Sequence, residues 1–172
     1  TALIFAVTHN NIEIVQALIT AGADVNAKNR SNDTALAFAV RNNHTDIVRL
    51  LLEAAVRLSP DKFKEFVNDK DSFGYTALMW AAEKGNIDIV RLLLEKTKLM
   101  FNKGGDDDEE RQTTFLDFIN ATDRAGDTAL IKAAEKKYPE IAWALIDDDA
   151  DPNVENNGGY TARMWMPALM PT

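Results

Sequence analysis

The chain contains no cysteine, and only two histidines and three serines occur among its 172 residues. Without cysteine, neither a disulfide framework nor a cysteine-based metal site can form, which fits a reducing compartment such as the cytoplasm. None of the serines lies in a Gly-x-Ser-x-Gly context, and a cysteine nucleophile is excluded. We therefore expect a protein that is not an enzyme and that holds neither a cofactor nor a metal.

Long hydrophobic runs are also missing. No stretch reaches the roughly 20 predominantly apolar residues that a membrane-spanning helix requires, and the segment after Thr1 lacks the pattern of a signal peptide. With 46% hydrophobic residues the chain can still build a core, and a chain of this length buries roughly 70% of its unfolded surface. We expect a monomer that does not insert into a membrane.

Positive charge is scarce in the second half of the chain. Residues 1–86 carry a net charge of −1, whereas residues 87–172 carry −7. This excess would repel a phosphate backbone, so nucleic acid is not expected as a ligand, whereas a basic partner there remains open. Alternating polar residues from Asp147 to Asn153 resemble a calcium loop, but Pro152 and Gly158 occupy the places of its glycine and its bidentate glutamate. The pattern therefore does not predict a calcium site.

What the chain has in abundance is internal repetition. Thr-Ala-Leu occurs at Thr1, Thr34, Thr76 and Thr128, and a degraded copy, Thr-Ala-Arg, occurs at Thr161. The successive spacings are 33, 42, 52 and 33 residues, which indicates a 33-residue unit with insertions of 9 and 19 residues. Repetition at such a period is typical of stacked supersecondary units, each of which buries its apolar face against the next.

Fixed positions before each threonine predict a tight turn. Asparagine stands eight residues earlier, and asparagine or aspartate stands five residues earlier. The residue two places before the threonine is asparagine or glycine, both of which tolerate the positive φ of a tight turn. These last residues are Asn32, Gly74, Gly126 and Gly159.

Two helices are predicted in each unit. The threonine is a suitable N-cap and the alanine after it favours a helix, so a first helix should run from about Ala77 to Lys84. Asn10, Asn43 and Gly85 then favour the left-handed conformation that ends a helix. A second, more apolar helix should follow, and then an extended hairpin. The expected starts of the second helices are Ile12, Thr45, Ile87 and Pro139.

The segments Thr76–Glu95 and Ala21–Asn26 resemble ankyrin repeats. The resemblance implies an all-α repeat solenoid of helix-turn-helix units joined by β-hairpin loops, with residues 1–172 forming a single domain. Its units would be 1–33, 34–75 with an insertion, 76–127 with an insertion, 128–160, and a partial unit 161–172. The segment Thr-Ala-Leu-Met-Trp-Ala-Ala resembles repeats found in bacterial proteins. For a bacterial protein, the alternatives to a cytoplasmic location are a secreted effector or a periplasmic protein.

One departure from the family pattern is systematic. The usual Thr-Pro-Leu-His opening reads Thr-Ala-Leu here, and another residue replaces the histidine. We therefore expect apolar packing in place of the hydrogen bond that this histidine makes in the family. The replacing residues are Ile4, Ala37, Met79 and Ile131. His44 occupies a different place, where ankyrin repeats commonly carry a structural histidine between helices.

The two insertions share a pattern. Both are expected to lengthen the second helix, to about Leu58 and Phe101, and both end in a segment with phenylalanine at i and i+3. These segments are Phe63–Asn68, whose helix Ser59-Pro60 would start, and Phe115–Asn120. The phenylalanines either fold back on the lengthened helix as core or form a protruding contact surface. The charged segment 103–110 is expected to be poorly ordered.

The resemblance places binding on the concave side of the array, formed by the first helices and the hairpin tips, and we call this surface the groove. Two residues after the leucine of most units stands an aromatic side chain, bordered by arginine and lysine, and aromatics and arginine dominate interface hot spots. The candidate contact residues are Arg30, Phe38, Arg41, Asn42, Phe73, Tyr75, Trp80, Lys84, Arg124, Lys132 and Tyr160. The alternative is that the rings pack between units as ordinary core.

These features predict a non-enzymatic module that binds a protein or peptide through the groove and the hairpin tips. The alternative is a regulatory or sensory segment of a larger enzyme or channel, whose insertions contact the rest of that chain. The first unit starts without a preceding hairpin, which would fit a fragment of a larger protein or a missing cap. At the other end, residues from Met164 to Met170 either cover the last unit or contact a partner.

Overall fold

The computed structural model describes residues 1–101 and 108–166, except for the side chains of 108–111. Within these residues the protein is all-α and contains eleven helices. They are α1 (Ala2–Thr8), α2 (Ile12–Thr20), α3 (Ala35–Arg41), α4 (Thr45–Ala55), α5 (Pro60–Asn68), α6 (Ala77–Lys84), α7 (Ile87–Phe101), α8 (Asp108–Ile119), α9 (Ala129–Glu135), α10 (Pro139–Ile146) and α11 (Ala162–Trp165).

The helices form two rows. The first helices of the units, α1, α3, α6, α9 and α11, stack on one another in chain order. The second helices, α2, α4, α7 and α10, form the other row, and each packs on the first helix of its own unit. The predicted starts of all four second helices are confirmed. Small buried residues such as Ala39, Ala81 and Ala133 allow the first helices to approach closely, and one hydrophobic core runs through both rows.

The predicted helix caps are confirmed in four units, whereas Thr161 precedes α11 without a side-chain cap hydrogen bond. The hydroxyls of Thr1, Thr34, Thr76 and Thr128 each accept a hydrogen bond from the backbone N–H of the residue three places later. The residues that replace the family histidine are all buried, as apolar packing requires. In the third unit Met79 also takes part in the cap. Its sulfur accepts a hydrogen bond from the backbone N–H of Thr76, with sulfur and nitrogen 3.5 Å apart.

The predicted helix terminators also adopt the left-handed conformation. The φ angles of Asn10, Asn43 and Gly85 are 51°, 57° and 74°. Lys137, which the sequence did not single out, takes the same role in the fourth unit with φ 61°. Gly85 has a second reason to lack a side chain, because a Cβ there would lie 2.7 Å from the ring of Tyr138.

The connections between units are turns rather than extended hairpins. No strand forms in the described part of the chain, and the β-pairing found there is an isolated antiparallel bridge between Lys28 and Thr34. Each turn is closed by two backbone hydrogen bonds, for example from the N–H of Asp71 to the carbonyl of Tyr75 and from the N–H of Gly74 to the carbonyl of Asp71, both at 3.0 Å. We call these segments the tip turns. Gly74, Gly126, Gly159 and Asn32 have positive φ within them, as predicted.

The insertions contribute to the core, as the first alternative predicted. Phe63 is fully buried and its ring lies perpendicular to that of Phe101, with ring centroids 6.1 Å apart. Helix α5 therefore packs on α7 of the next unit, and the expectation that it folds back on its own second helix is wrong. Helix α4 ends at Ala55, short of the expected Leu58, whereas α7 reaches Phe101 as predicted.

The second insertion packs on the same helix. Phe118 is buried, Phe115 is half-buried, and α8 contacts α7, so α7 serves both insertions. The segment 103–110 was expected to be poorly ordered. Residues 103–107 lie outside the described residues, and the backbone of 108–110 forms the first turn of α8.

Near the C-terminus, the expectation that the last residues cover the fourth unit is only partly confirmed. Met166 is buried, whereas Met164 and Trp165 are exposed. Leu169 and Met170 lie outside the described residues.

Candidate binding groove

Each tip turn is shaped by the Asn or Asp five residues before the unit's threonine. In the third unit, Oδ1 of Asp71 accepts hydrogen bonds from the backbone N–H groups of Phe73 at 2.9 Å and Tyr75 at 3.0 Å. Asn29, Asp123 and Asn156 accept equivalent pairs of bonds in the other tip turns. The side-chain oxygen thus substitutes for a strand partner, which explains why short polar Asn or Asp recurs there.

Where this residue is aspartate, its second oxygen binds the first helix of the same unit. Oδ2 of Asp71 accepts a hydrogen bond of 2.9 Å from Nε1 of Trp80, and Oδ2 of Asp123 lies 2.8 Å from Nζ of Lys132. Where the residue is asparagine, the corresponding helix residue is Phe38 or Trp165, for which no such bond is formed. Sequence reasoning missed this pairing, although aspartate and a nitrogen donor nine residues later occur together in two units.

The aromatic side chains of two neighbouring units form one packed cluster with cations. The rings of Tyr75 and Trp80 lie 4.6 Å apart, measured between their centroids. The guanidinium of Arg41 lies 4.5 Å from the ring centre of Phe38 and 5.7 Å from that of Trp80, and Nζ of Lys84 lies 5.9 Å from the latter. We call Phe38, Arg41, Tyr75, Trp80 and Lys84 the groove cluster. Such cation–π contacts hold the rings and the charges in a common layer.

Lys132 lies beneath this layer rather than on it. Its residue surface is only 4% exposed, and its ammonium pairs with Asp123 at 2.8 Å and Asp127 at 3.2 Å. Burial by itself lowers the pKa of Lys132, but hydrogen bonds to Asp123 and Tyr75 and the charge of Asp123 outweigh it, so the pKa is raised. Lys132 is therefore charged and anchors a tip turn, and it is not available as the surface contact that the sequence suggested.

The helix pairs and the tip turns agree with a known repeat family. The family model described as Ankyrin repeats (3 copies) matches residues 1–63 and 55–156. The chain belongs to the ankyrin repeat family. No curated protein sequence matches it. Ankyrin repeats are in general modules for protein–protein interaction, and the family is generally non-enzymatic.

His44 takes the structural place that ankyrin repeats commonly give to a histidine. Its Nδ1 lies 3.1 Å from the carbonyl oxygen of Val7 in the preceding ankyrin repeat, within hydrogen-bonding distance. At the same place in the other repeats, Asn11 and Asn86 cap their own helices, and Tyr138 covers Gly85. The histidine is therefore explained by packing between ankyrin repeats.

The remaining candidates divide by exposure. Phe38, Arg41, Tyr75 and Trp80 are half-buried, whereas Arg30, Asn42, Phe73, Lys84, Arg124 and Tyr160 are exposed. Phe73 is 62% exposed although it lies in the same tip turn as Tyr75. The side-chain amide of Asn42 donates to the carbonyl of Phe38 at 2.8 Å, so it caps the end of a helix. The ankyrin scaffold thus leaves a mixed aromatic and cationic surface in the groove.

Hydrogen bonds tie successive tip turns of the ankyrin array together. The amide of Asn32 donates to the carbonyl of Lys70 at 3.1 Å, and the ammonium of Lys70 donates to the carbonyl of Thr122 at 2.6 Å. Further along, the amide of Asn156 donates to Asp127 at 2.6 Å. The tips therefore form a continuous surface whose parts are held in register by polar groups rather than by a β-sheet.

Neither a metal site nor a membrane-spanning helix is found among the described residues. They contain no group of three or more His, Cys, Asp or Glu side chains arranged to hold a metal ion. Across residues 1–101 and 108–166, no helix is both long and apolar enough to cross a membrane.

Proposed function

We propose that this ankyrin repeat protein binds a peptide segment of a partner protein, as a monomer, in the groove. The observation that carries the proposal is the groove cluster, in which the tilted, closely packed rings of Tyr75 and Trp80 are flanked by Arg41 and Lys84. Aromatic and arginine side chains that are already held in place lose little conformational entropy on binding, and so they make effective anchors.

The charges on this face indicate the partner's chemistry. Arg30, Lys84 and Arg124 are exposed and form no ion pair with any described residue. The protein has a net charge of −8, and these three cations on the groove face are available to pair with anions of a partner. The proposed segment therefore carries carboxylates that meet these cations and an apolar side chain that covers Phe73 and the ring pair.

The insertions lend less support to the alternative of a regulatory segment that contacts a larger chain. Their large apolar side chains Phe63, Phe66 and Phe118 are buried within the repeat array. They therefore add to the scaffold and leave little apolar surface for contacts elsewhere.

The test uses groove variants whose side chains are not needed for folding. Because Trp80 is bonded to Asp71, its replacement would disturb a tip turn, whereas Phe73 and Lys84 are exposed. The double variant Phe73→Ala with Lys84→Ala should capture the partner at least about tenfold more weakly than the unmodified chain, because hot-spot side chains contribute more than about 1 kcal/mol each.

A matched control removes the same kinds of side chain from outside the groove. Leu99 lies on α7 and Lys64 on α5, and both are exposed, so the double variant Leu99→Ala with Lys64→Ala should retain the captured proteins and their affinities. If the two double variants lose the same partner equally, or if neither loses it, the groove is not the binding surface.

A further inference from the structure

An exposed aromatic side chain also lies on the row of second helices, far along the chain from the groove cluster. Trp143 of α10 is 38% exposed. It stands fifteen residues after its unit's threonine, and the other units carry Gln16, Arg49 and Arg91 at this position, all of them exposed. The scaffold therefore accommodates polar side chains at this position, and packing of the array does not require a tryptophan there.

Trp143 lines a cavity of about 580 Å³ between α7 and α10. The floor is apolar, from Leu94 and Ala144, and the rim is charged. Two ion pairs join the helices across it, Arg91 with Glu140 at 3.1 Å and Lys98 with Asp148. The cavity is open enough to admit one side chain of a partner, and its volume falls within the range of small ligand sites.

The rim has an excess of carboxylates. Its cations, Arg91 and Lys98, are occupied in the two ion pairs, and four carboxylates line the same cavity. Glu95 pairs with Lys96 at 3.3 Å, which leaves Asp147 as the lining carboxylate without a cation. Asp147 forms no ion pair with any described residue, and the exposed Asp149 and Asp151 follow directly. The surface around the indole therefore carries an excess of negative charge.

These carboxylates are placed where they oppose the stability of the helix. Asp147 is the C-cap of α10, and Asp148 and Asp149 come immediately after it. The C-terminal end of a helix carries a partial negative charge, so each nearby anion that is not compensated destabilises the helix. The salt bridge of Lys98 compensates one of them, and the others stay uncompensated until a cation from outside approaches.

We propose that the Trp143 cavity is a second docking site, which takes an arginine or lysine side chain from a basic segment of a protein partner. The indole face attracts the cation, Leu94 and Ala144 receive its methylene groups, and the carboxylates at the end of α10 pair with its charge. An acidic segment would be repelled here. This proposal does not depend on the groove.

The probe is an N-acetylated hexapeptide amide of alternating leucine and arginine, and the readout is the NMR signals of the three tryptophan indole N–H groups in the full chain. Titration should shift the Trp143 signal, assigned by its loss in Trp143→Gln, and should leave the Trp80 signal in place. The corresponding leucine–glutamate peptide should not shift it. Trp143→Gln should weaken binding at least about tenfold, and it should still fold, because Gln16 occupies the same position in the first unit.

Two further variants separate a binding role from a structural one. Asp147→Asn combined with Asp149→Asn should weaken binding of the arginine peptide several-fold and make that binding less dependent on salt concentration. The same double variant should raise the urea midpoint of unfolding, because uncompensated charge at the helix end is removed. Arg49→Gln, at the position equivalent to Trp143, should change neither the binding of the arginine peptide nor the urea midpoint. Equal binding of the glutamate peptide, a shift at Trp80 instead of Trp143, or no shift at about 1 mM peptide would overturn the proposal.

Discussion

The indole nitrogen of Trp80 donates a hydrogen bond of 2.9 Å to Oδ2 of Asp71, while Oδ1 of the same carboxylate holds the tip turn. One side chain therefore fixes both the turn and the aromatic ring that lies over the groove. In the preceding unit the corresponding residues are Asn29 and Phe38, which form no such bond. The groove cluster is ordered from below by this carboxylate and from the side by Tyr75.

We expect Asp71→Asn to destabilise the protein by about 1–2 kcal/mol, because the new amide can keep the turn but leaves the partly buried indole N–H of Trp80 without its acceptor. Urea unfolding would measure the loss. In a Trp80→Phe background the same change should cost less than about 0.5 kcal/mol, since that pair reproduces Asn29 with Phe38. Equal costs in both backgrounds would show that the hydrogen bond does not couple the two residues.

Replacement of Lys132 by methionine should be more severe. It would leave the buried carboxylate of Asp123 without its cation, and the loss of one partner of a buried ion pair costs about 3 kcal/mol or more. Lys136 provides the control, because it is exposed and lies one turn after Lys132, at the C-terminal end of α9. Lys136→Met should change the free energy of unfolding by no more than about 0.5 kcal/mol. Similar urea midpoints for the two variants would contradict the anchoring role of Lys132.

The difference between Lys132→Met and the unmodified chain should also depend on pH. Because folding raises the pKa of Lys132, its stabilisation is fully present below about pH 10.5, the ordinary pKa of lysine, and is lost as the pH rises towards the folded-state value. Burial raises the pKa of the Tyr75 hydroxyl as well. The free energy of unfolding of both proteins should be measured at about pH 8 and about pH 11. The difference between the two proteins should be smaller at the higher pH.

Thr97 offers a stabilising substitution. Its side chain is fully buried in α7, and its hydroxyl has no hydrogen-bond partner among the described residues. Thr97→Val keeps the shape and removes the cost of the buried hydroxyl, so we expect a gain of about 1 kcal/mol in urea unfolding. Thr76→Val, equally buried but at a helix cap, should instead lose about 1 kcal/mol. The same sign for both variants would contradict this interpretation.

Gly85 should tolerate a side chain only if Tyr138 is removed. Its φ of 74° is compatible with asparagine, but a Cβ would lie 2.7 Å from the Tyr138 ring. Gly85→Asn should therefore cost about 1–3 kcal/mol, from the displacement of a packed ring. In a Tyr138→Asn background, which resembles Asn43 facing Asn86, the cost should fall below about 1 kcal/mol in thermal unfolding. An unchanged cost would assign the effect to the backbone alone.

Local patterns allowed most of the helices to be predicted from the sequence. Thr76 as cap, Gly85 as terminator and Ile87 as the next start act within a few residues of one another, so they can be recognised without the rest of the fold. The end of α4 was predicted three residues too far, because Val56 and Leu58 continue the apolar pattern after the helix stops. Apolar periodicity persists through a turn when the turn itself is packed on the core.

The candidate site was harder to predict, because exposure depends on neighbours that are distant in sequence. Trp80 and Lys132 occupy the same position in their units, yet the ammonium of Lys132 is drawn inward by Asp123 and Asp127. The cluster of Trp80 with Arg41 joins residues of two units. A list of positions within the repeat could not distinguish these two outcomes.

The amino-acid sequence by itself determined the repeat, the starts of its helices, its tip-turn residues and its family, because caps, turns and apolar faces depend on residues close together in the chain. Only the tertiary structure decided that α5 of one unit packs on α7 of the next, and that the second oxygens of Asp71 and Asp123 bind side chains of the first helices. It also placed the indole of Trp143 beside the carboxylates at the end of α10. These outcomes arise from contacts between units, where packing and charge act across long sequence separations.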